Sequence, residues 1–198
     1  IKTKDPTDQF EGLSEITIGD YGTQNLGIAF GGPTKNKKVK YRLVVRNDYA
    51  DGFRKNIFLN RSDTSQKDEL TIRYKLNWDI NETTDVNFLL SRVDMDDPAD
   101  IWTIDGSLNT LSDRPGMDSQ ETDSFGIKLL KHFDHFDLQS FTSITKTDVI
   151  FSYDADWGNP ESHFPYIYDY FSETFRKRDT FSQEIRFLSK NINFSKEN

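Results

Sequence analysis

Apolar and polar residues alternate strictly over residues 68–80. The apolar positions are Leu70, Ile72, Tyr74, Leu76, Trp78 and Ile80, and the polar positions between them are Glu69, Thr71, Arg73, Lys75, Asn77 and Asp79. Successive side chains of a β-strand point to opposite faces, so this alternation predicts a strand with one apolar and one polar face. The stretch also exceeds the ~9–11 residues that a tilted strand needs to cross a bilayer. We therefore expect a strand that could span a membrane.

The same period of two recurs along most of the chain. Three further clear segments are residues 24–30, 38–49 and 123–133. Weaker alternation marks residues 10–21, 85–94, 136–151 and 174–189. The predicted fold class is all-β, an antiparallel up-and-down meander of roughly eight strands that forms part of a transmembrane β-barrel.

The connections between these strands are short on one side and long on the other. Residues 31–36, 81–84 and 134–135 carry the Gly, Pro, Asn and Asp chemistry of tight turns. Residues 50–66, 95–122 and 153–173 form long connections, which we expect to be neighbours at one end of the sheet. Short periplasmic turns and long extracellular loops are typical of outer-membrane barrels. The alternative interpretation is a water-soluble antiparallel sheet with one wet face.

Composition excludes several classes of protein. Among 198 residues, 34% are hydrophobic, 29% charged and 14% aromatic. The aromatic fraction argues against disorder, whereas the low hydrophobic fraction leaves few residues for an ordinary core. The absence of cysteine excludes disulfides, thiolate metal sites and a cysteine nucleophile. A formal net charge of -8 disfavours nucleic acid as a partner. The sequence contains neither an apolar run of about 20 residues nor a signal-peptide pattern.

Several short motifs resemble those of TonB-dependent outer-membrane receptors. The opening Ile1-Lys2-Thr3-Lys4-Asp5-Pro6-Thr7 is similar to the stretch at which the plug of this family ends and the barrel begins. Further along the chain, Gly31-Gly32-Pro33 resembles the turn after the second barrel strand, Asp51-Gly52-Phe53 the loop start after the third, and Ser182-Gln183-Glu184-Ile185-Arg186-Phe187 a strand common in the family. The motifs follow one another in the family's order over nearly the whole chain.

The resemblance implies a fragment of a larger receptor. Residues 1–9 would be the end of the plug and the plug–barrel joint, and residues 10–198 the N-terminal part of the barrel. The implied function is energy-coupled uptake of a scarce nutrient, such as a ferric siderophore, across the outer membrane of a Gram-negative bacterium. The implied partners are outer-membrane lipid, a small-molecule cargo such as a metal chelate, and TonB, which would act through parts of the parent protein absent here. A large receptor of this kind closes with about 22 strands around a plugged lumen.

Two groups of residues are candidates for binding. Carboxylates cluster at Asp94, Asp96, Asp97 and Asp100, and Ca²⁺ takes several carboxylate oxygens from one flexible loop. The alternative is a solvated acidic loop, since the Gly and closing Glu of an EF-hand loop are missing. The long connections also concentrate aromatic residues, which bind ligands through large rigid surfaces. The loop candidates are Trp102, Trp157, His163, Tyr166, Tyr168 and Phe171, for which packing of the loops is the alternative role.

No pattern of catalytic residues is present in the sequence. His132, His135 and His163 lack close metal-binding spacing, so iron would arrive as a chelate and not on protein ligands. No Ser-His-Asp pattern, phosphate loop or nucleotide motif occurs. We therefore expect a protein that is not an enzyme and needs no cofactor. The alternative to the receptor is a soluble β-rich carbohydrate- or protein-binding module whose aromatic loops form the site.

Overall fold

The computed structural model describes residues 3–190, and its regular structure is entirely β. Ile1, Lys2 and residues 191–198, which belong to the predicted joint and barrel segments, lie outside the described residues. The ten strands are β1 (Glu11–Ile18), β2 (Gln24–Pro33), β3 (Val39–Ala50), β4 (Lys55–Asn56), β5 (Lys67–Asn81), β6 (Thr84–Pro98), β7 (Asn109–Thr110), β8 (Met117–His132), β9 (Phe136–Asp154) and β10 (Phe171–Ser189). Within residues 3–190, no helix is long and apolar enough to cross a membrane.

Eight strands form one antiparallel sheet in the order β1-β2-β3-β5-β6-β8-β9-β10. Each strand pairs with the next long strand along the chain, which confirms the predicted all-β meander. The two short strands β4 and β7 form a separate parallel pair that the alternation did not predict. Within residues 3–190 no ladder joins β1 to β10, so both are edges of the sheet.

The strands are longer at the loop end than predicted. β6 and β8 continue to pair through Met95–Gln120 and Asp97–Asp118, so the loop between them is 99–116 and not 95–122. Charged and polar residues occupy both faces there, which hides the period of two. β9 and β10 likewise pair as far as Asp154 and Phe171, so the loop between them is 155–170, and Phe171 is a strand residue, not a loop residue.

Glycines at the end of β2 belong to the sheet and not to the predicted turn of 31–36. A Cβ on Gly31 would lie 2.1 Å from the backbone oxygen of Tyr41, and one on Gly32 would lie 2.8 Å from Cα of Phe10. Only glycine permits these close backbone approaches. The backbone of Phe10 therefore lies close against Gly32, and the turn to β3 falls at 34–38.

The register separates the sheet into an apolar face and a polar face. Leu70, Ile72, Tyr74, Leu76 and Trp78 share the apolar face of β5, and Thr71, Arg73, Lys75 and Asn77 share the polar face, as predicted. Directly paired residues lie on the same face, so the register extends this division across the sheet. The apolar row, as we name it, crosses seven strands through Phe30, Leu43, Tyr74, Leu90, Phe125, Ile144 and Phe181.

No second layer covers the apolar face within the described chain. Among residues 3–190 the buried hydrophobic residues are Ala29, Val86 and Ala99, and of these only Val86 lies on the apolar face. Side chains of the apolar row remain open, with Leu90 50% and Phe181 68% exposed. An exposed apolar surface of this extent marks a face that something else covers.

Candidate functional site

The long connections all lie at one end of the sheet. Connections 51–66, 99–116 and 155–170 lie at this end, and we name them together the loop layer. Loop 99–116 contacts both of the others directly, as described below, which confirms the prediction that the three long connections are neighbours. The short turns 34–38, 82–83 and 133–135 lie at the opposite end.

A buried asparagine joins the first two loops. Asn56 is 0% exposed and its Nδ2 donates to Oδ2 of Asp100 at 2.9 Å and to the backbone oxygen of Ser112 at 2.7 Å. Its Oδ1 accepts a hydrogen bond from the Leu59 backbone N–H at 2.8 Å. The adjoining β4–β7 pair adds a short parallel ladder. Three of the four hydrogen bonds available to an asparagine amide are thus made, which fixes the two loops to each other.

The four aspartates of the predicted calcium site do not converge. Asp94, Asp96 and Asp97 lie in the β6 strand, where alternation places Asp97 on the face opposite the other two. Asp94 pairs with Arg92 at 3.4 Å, and Asp97 accepts from the Asp68 backbone N–H. Asp100 is buried and accepts from Asn56 and Thr110. Among the described residues no group of three or more His, Cys, Asp or Glu side chains has the geometry to hold a metal ion.

The third loop is attached to the second by backbone and side-chain contacts. Asn159 is buried and donates from Nδ2 to the backbone oxygen of Leu111 at 3.0 Å. The Asp113 N–H donates to the backbone oxygen of Gly158 at 2.9 Å. Arg114 pairs with Asp169 at 3.3 Å and lies 4.4 Å from the Phe171 ring centroid. The loop layer is therefore one connected structure.

Three tyrosines on loop 155–170 form a ladder of neighbouring rings, which we name the tyrosine ladder. The ring centroids of Tyr166 and Tyr168 are 6.5 Å apart, and those of Tyr168 and Tyr170 are 6.0 Å apart. His163 meets Tyr168 edge-on at 5.2 Å. Tyr166 is 68% and Tyr168 40% exposed, so ring surface is available to a ligand.

The ladder is anchored through Asp156. The Tyr170 backbone N–H donates to Oδ2 of Asp156 at 2.7 Å, and Nε2 of His163 lies 3.1 Å from the Asp156 backbone oxygen. Both ends of the aromatic segment therefore return to one residue. Neither Asp156 nor Tyr170 was a predicted site residue, and nothing in the local sequence distinguishes this aspartate from its acidic neighbours.

The structure brings together only part of the predicted aromatic set. His163, Tyr166 and Tyr168 lie in one cluster. Trp102 packs against Tyr153 at 5.1 Å between ring centroids, and Phe171 packs under Arg114, so both have the packing role that was the alternative. Trp157 is partly exposed, and its φ of 60° places it in the left-handed region.

Like charges meet where the second and third loops join. Burial raises the pKa of the Asp113 carboxyl, and the nearby carboxylates of Asp156 and Asp169 raise it further. Loop 155–170 contains three acidic residues, Asp156, Glu161 and Asp169, and neither Lys nor Arg. The surroundings of the tyrosine ladder are therefore acidic.

A band of charge borders the apolar face on its loop side. On β6, β8, β9 and β10 we count along the same face from the apolar row toward the loop layer. The next two residues on each of these strands are charged. They form what we name the charged double row: Arg92, Asp94, Glu121, Asp123, Lys146, Asp148, Lys177 and Asp179. Arg92 contacts Asp94, Glu121 and Asp123 within 3.4 Å, and Lys177 contacts Asp148 at 3.0 Å. On these four strands the change from apolar to charged side chains is complete within one row.

The residues before β1 lie across the polar face. Lys75 donates from Nζ to the backbone oxygen of Thr3 at 3.1 Å and to Asp5 at 2.8 Å. Lys40 pairs with Asp8 at 2.7 Å. A cavity of about 450 Å³ lies on the same face, lined in part by Asp5, Lys75 and Lys128. The N-terminal segment is thus held over the polar side of the sheet by ionic contacts.

No protein-family model matches this sequence, and no curated protein matches it.

Proposed function

We propose that this chain is the plug–barrel joint and the N-terminal part of the barrel of a TonB-dependent receptor in the outer membrane of a Gram-negative bacterium. Residues 1–9 would form the end of the plug and the joint, and residues 10–198 the barrel segment. The receptor would take up a scarce nutrient, such as a ferric siderophore, with energy delivered by TonB through segments outside this chain. Its role is binding and transport, with no catalytic step.

The observation that carries this proposal is the apolar face and its sharp border. An uncovered row of large apolar side chains across seven strands is unfavourable in water, because each side chain left exposed forgoes about 1.5–3 kcal/mol of burial. The charged double row beside it would be costly in hydrocarbon, at roughly 2–4 kcal/mol for Arg or Lys at mid-depth. Both costs are avoided if lipid covers the apolar row and headgroups or water surround the charged double row.

The polar face supports the same assignment. A barrel interior is wet and polar, and Lys40 and Lys75 on this face contact the N-terminal segment. A plug entering a barrel lumen would have to cross the strands on this side. The contacts of Thr3, Asp5 and Asp8 with this face therefore support the assignment of residues 1–9 to the plug–barrel joint.

The loop layer supports a role in capture. Fixed loops at one end of a sheet can hold aromatic surfaces in a set position, so a ligand does not have to order them on binding. Asp156 holds the tyrosine ladder within loop 155–170, and Asn159 attaches that loop to loop 99–116. We place cargo contact at this cluster.

Cell fractionation of the native protein tests the proposal. We expect the protein to sediment with outer membranes, to resist extraction by high salt and to be released by detergent. Uptake of its cargo should stop when the proton gradient across the inner membrane is collapsed. Recovery in the soluble periplasm without detergent would overturn the receptor assignment and favour a soluble carbohydrate- or protein-binding module.

A further inference from the structure

The acidic residues around the tyrosine ladder disfavour a negatively charged ligand. Loop 155–170 carries three carboxylates and no Lys or Arg. Asp156 contacts the ladder through the Tyr170 N–H, and Asp169 lies between Tyr168 and Tyr170 in the chain. An anion that stacked on these rings would approach several negative charges at short range, where salt screens them incompletely.

The neighbouring cations are engaged with other groups. Arg114 pairs with Asp169 and covers the Phe171 ring. In loop 51–66, Arg61 pairs with Asp63 at 2.8 Å, and Arg54 donates to the backbone oxygen of Ser107. Arg114 therefore offsets the charge of Asp169, whereas Arg54 and Arg61 contact groups in the first two loops, and the acidic character beside the ladder rests on Asp156 and Glu161.

Ring geometry adds a second requirement. The faces of phenol rings carry negative electrostatic potential, which attracts cations. The same faces can stack with flat rings of a ligand. Tyr166, Tyr168 and Tyr170 expose neighbouring rings over a short stretch of loop. Such a surface suits a ligand with its own flat ring and repels one with a negative charge.

We propose that the tyrosine ladder binds a small ligand that has a flat ring face and carries no net negative charge, and that it discriminates against anionic cargo. This inference rests on the proposed function, because it describes the cargo of the same site. It narrows the cargo to uncharged or cationic ring-bearing molecules and chelates.

A probe series of one ring system tests the charge preference. The complete protein in detergent is titrated with a cationic N-methylphenazinium, uncharged phenazine and a phenazine disulfonate, with binding followed by probe absorbance. We expect the disulfonate to bind at least about tenfold more weakly than the cation at low salt. The gap should narrow at 1 M salt, where the Debye length falls to about 3 Å. Equal or tighter binding of the disulfonate, or no binding of any probe, would overturn the proposal.

Paired variants test the location. Tyr168→Ala should weaken cation binding about five- to tenfold through loss of the central ring. Tyr21→Ala, an exposed tyrosine on connection 19–23 at the same end of the sheet, should leave it unchanged. Glu161→Lys should strengthen disulfonate binding, whereas Glu82→Lys at the opposite end should not. Equal effects within either pair would place the probe elsewhere.

The ligand preference and the proposed function can fail independently of each other. If charge selectivity fails while the protein sediments with outer membranes, the receptor assignment stands and the ligand chemistry falls. If the protein proves soluble yet retains selectivity, the ligand chemistry stands and the receptor assignment falls.

Discussion

The sheet exposes large apolar side chains, whereas the loop layer buries polar ones. Among residues 3–190, the largest side chains that are almost completely buried are Asn56, Thr64, Thr110 and Ser112, which are all polar and all lie in the loop layer. In the sheet, large apolar side chains such as Leu90 and Phe181 are exposed. A water-soluble domain shows the reverse arrangement, with apolar residues inside.

This difference identifies what holds each region together. The sheet is held by its backbone ladders, and its apolar face contributes fully only when lipid or another surface covers it. The loop layer is held by buried hydrogen bonds, whose loss leaves unsatisfied polar groups. Lipid should therefore matter to the sheet, and single polar side chains should matter to the loop layer.

The largest effect is expected from Asn56→Ala. The change removes three buried hydrogen bonds, and each buried group left unpaired costs about 1–3 kcal/mol, so we expect roughly 3–5 kcal/mol of local destabilisation. Hydrogen exchange of the complete protein should show that amides of the loop layer lose protection, whereas the protection of sheet amides is unchanged. Asn109→Ala, at an exposed position of β7, is the matched control and should change little. Equal loss of protection in loops and sheet would contradict the separation of the two regions.

The next effect compares the two faces with one substitution. Leu76→Arg places a charge on the apolar face and should cost about 2–4 kcal/mol in a bilayer. Leu89→Arg places the same charge on the polar face, beside the cavity that Asp5 and Glu184 also line, and should cost far less. The measurement is urea unfolding of the complete protein in lipid vesicles. Similar losses for both variants would remove the assignment of the apolar face to lipid.

A smaller effect is expected from Arg114→Ala. Its pairing with Asp169 and its position over the Phe171 ring contribute about 1 kcal/mol together, because both lie near solvent. Amide hydrogen exchange of the Arg114→Ala variant should accelerate in loop 155–170 only. The control is Arg61→Ala, an arginine of similar exposure whose partner Asp63 lies in its own loop. If the control affects loop 155–170 as strongly, the attachment proposed for Arg114 is wrong.

The smallest effect concerns the Asp113 carboxyl. Its pKa in the folded protein is raised above 3.8 by burial and by neighbouring carboxylates. A raised folded pKa gives stability that is present below the unfolded pKa and lost as the pH rises through the folded pKa. Asp113→Asn, which stays uncharged, should therefore increase protection of the loop layer at pH 7 and leave it unchanged near pH 3. Destabilisation at pH 7 would show that the Asp113 carboxylate makes a favourable contact.

The strands and their faces were determined by the sequence itself. Period-two alternation is a local property, and the strict alternation of residues 68–80 predicts β5 and both of its faces. Prediction weakened where both faces are polar, as at the β6 end containing Asp96 and Asp97. The four aspartates of the predicted calcium site do not converge in the structure, because the strand places Asp97 on the face opposite Asp94 and Asp96.

Only the tertiary structure decided the loop layer. Asn56 meets Asp100 and Ser112 across 44 and 56 residues of sequence, and no local pattern marks an asparagine that will be buried. Likewise, Asp156 is one of several loop aspartates until folding brings it to Tyr170. Strand geometry is fixed by neighbouring residues, whereas a hydrogen bond between loops depends on where the strands deliver them, so the first could be predicted and the second could not.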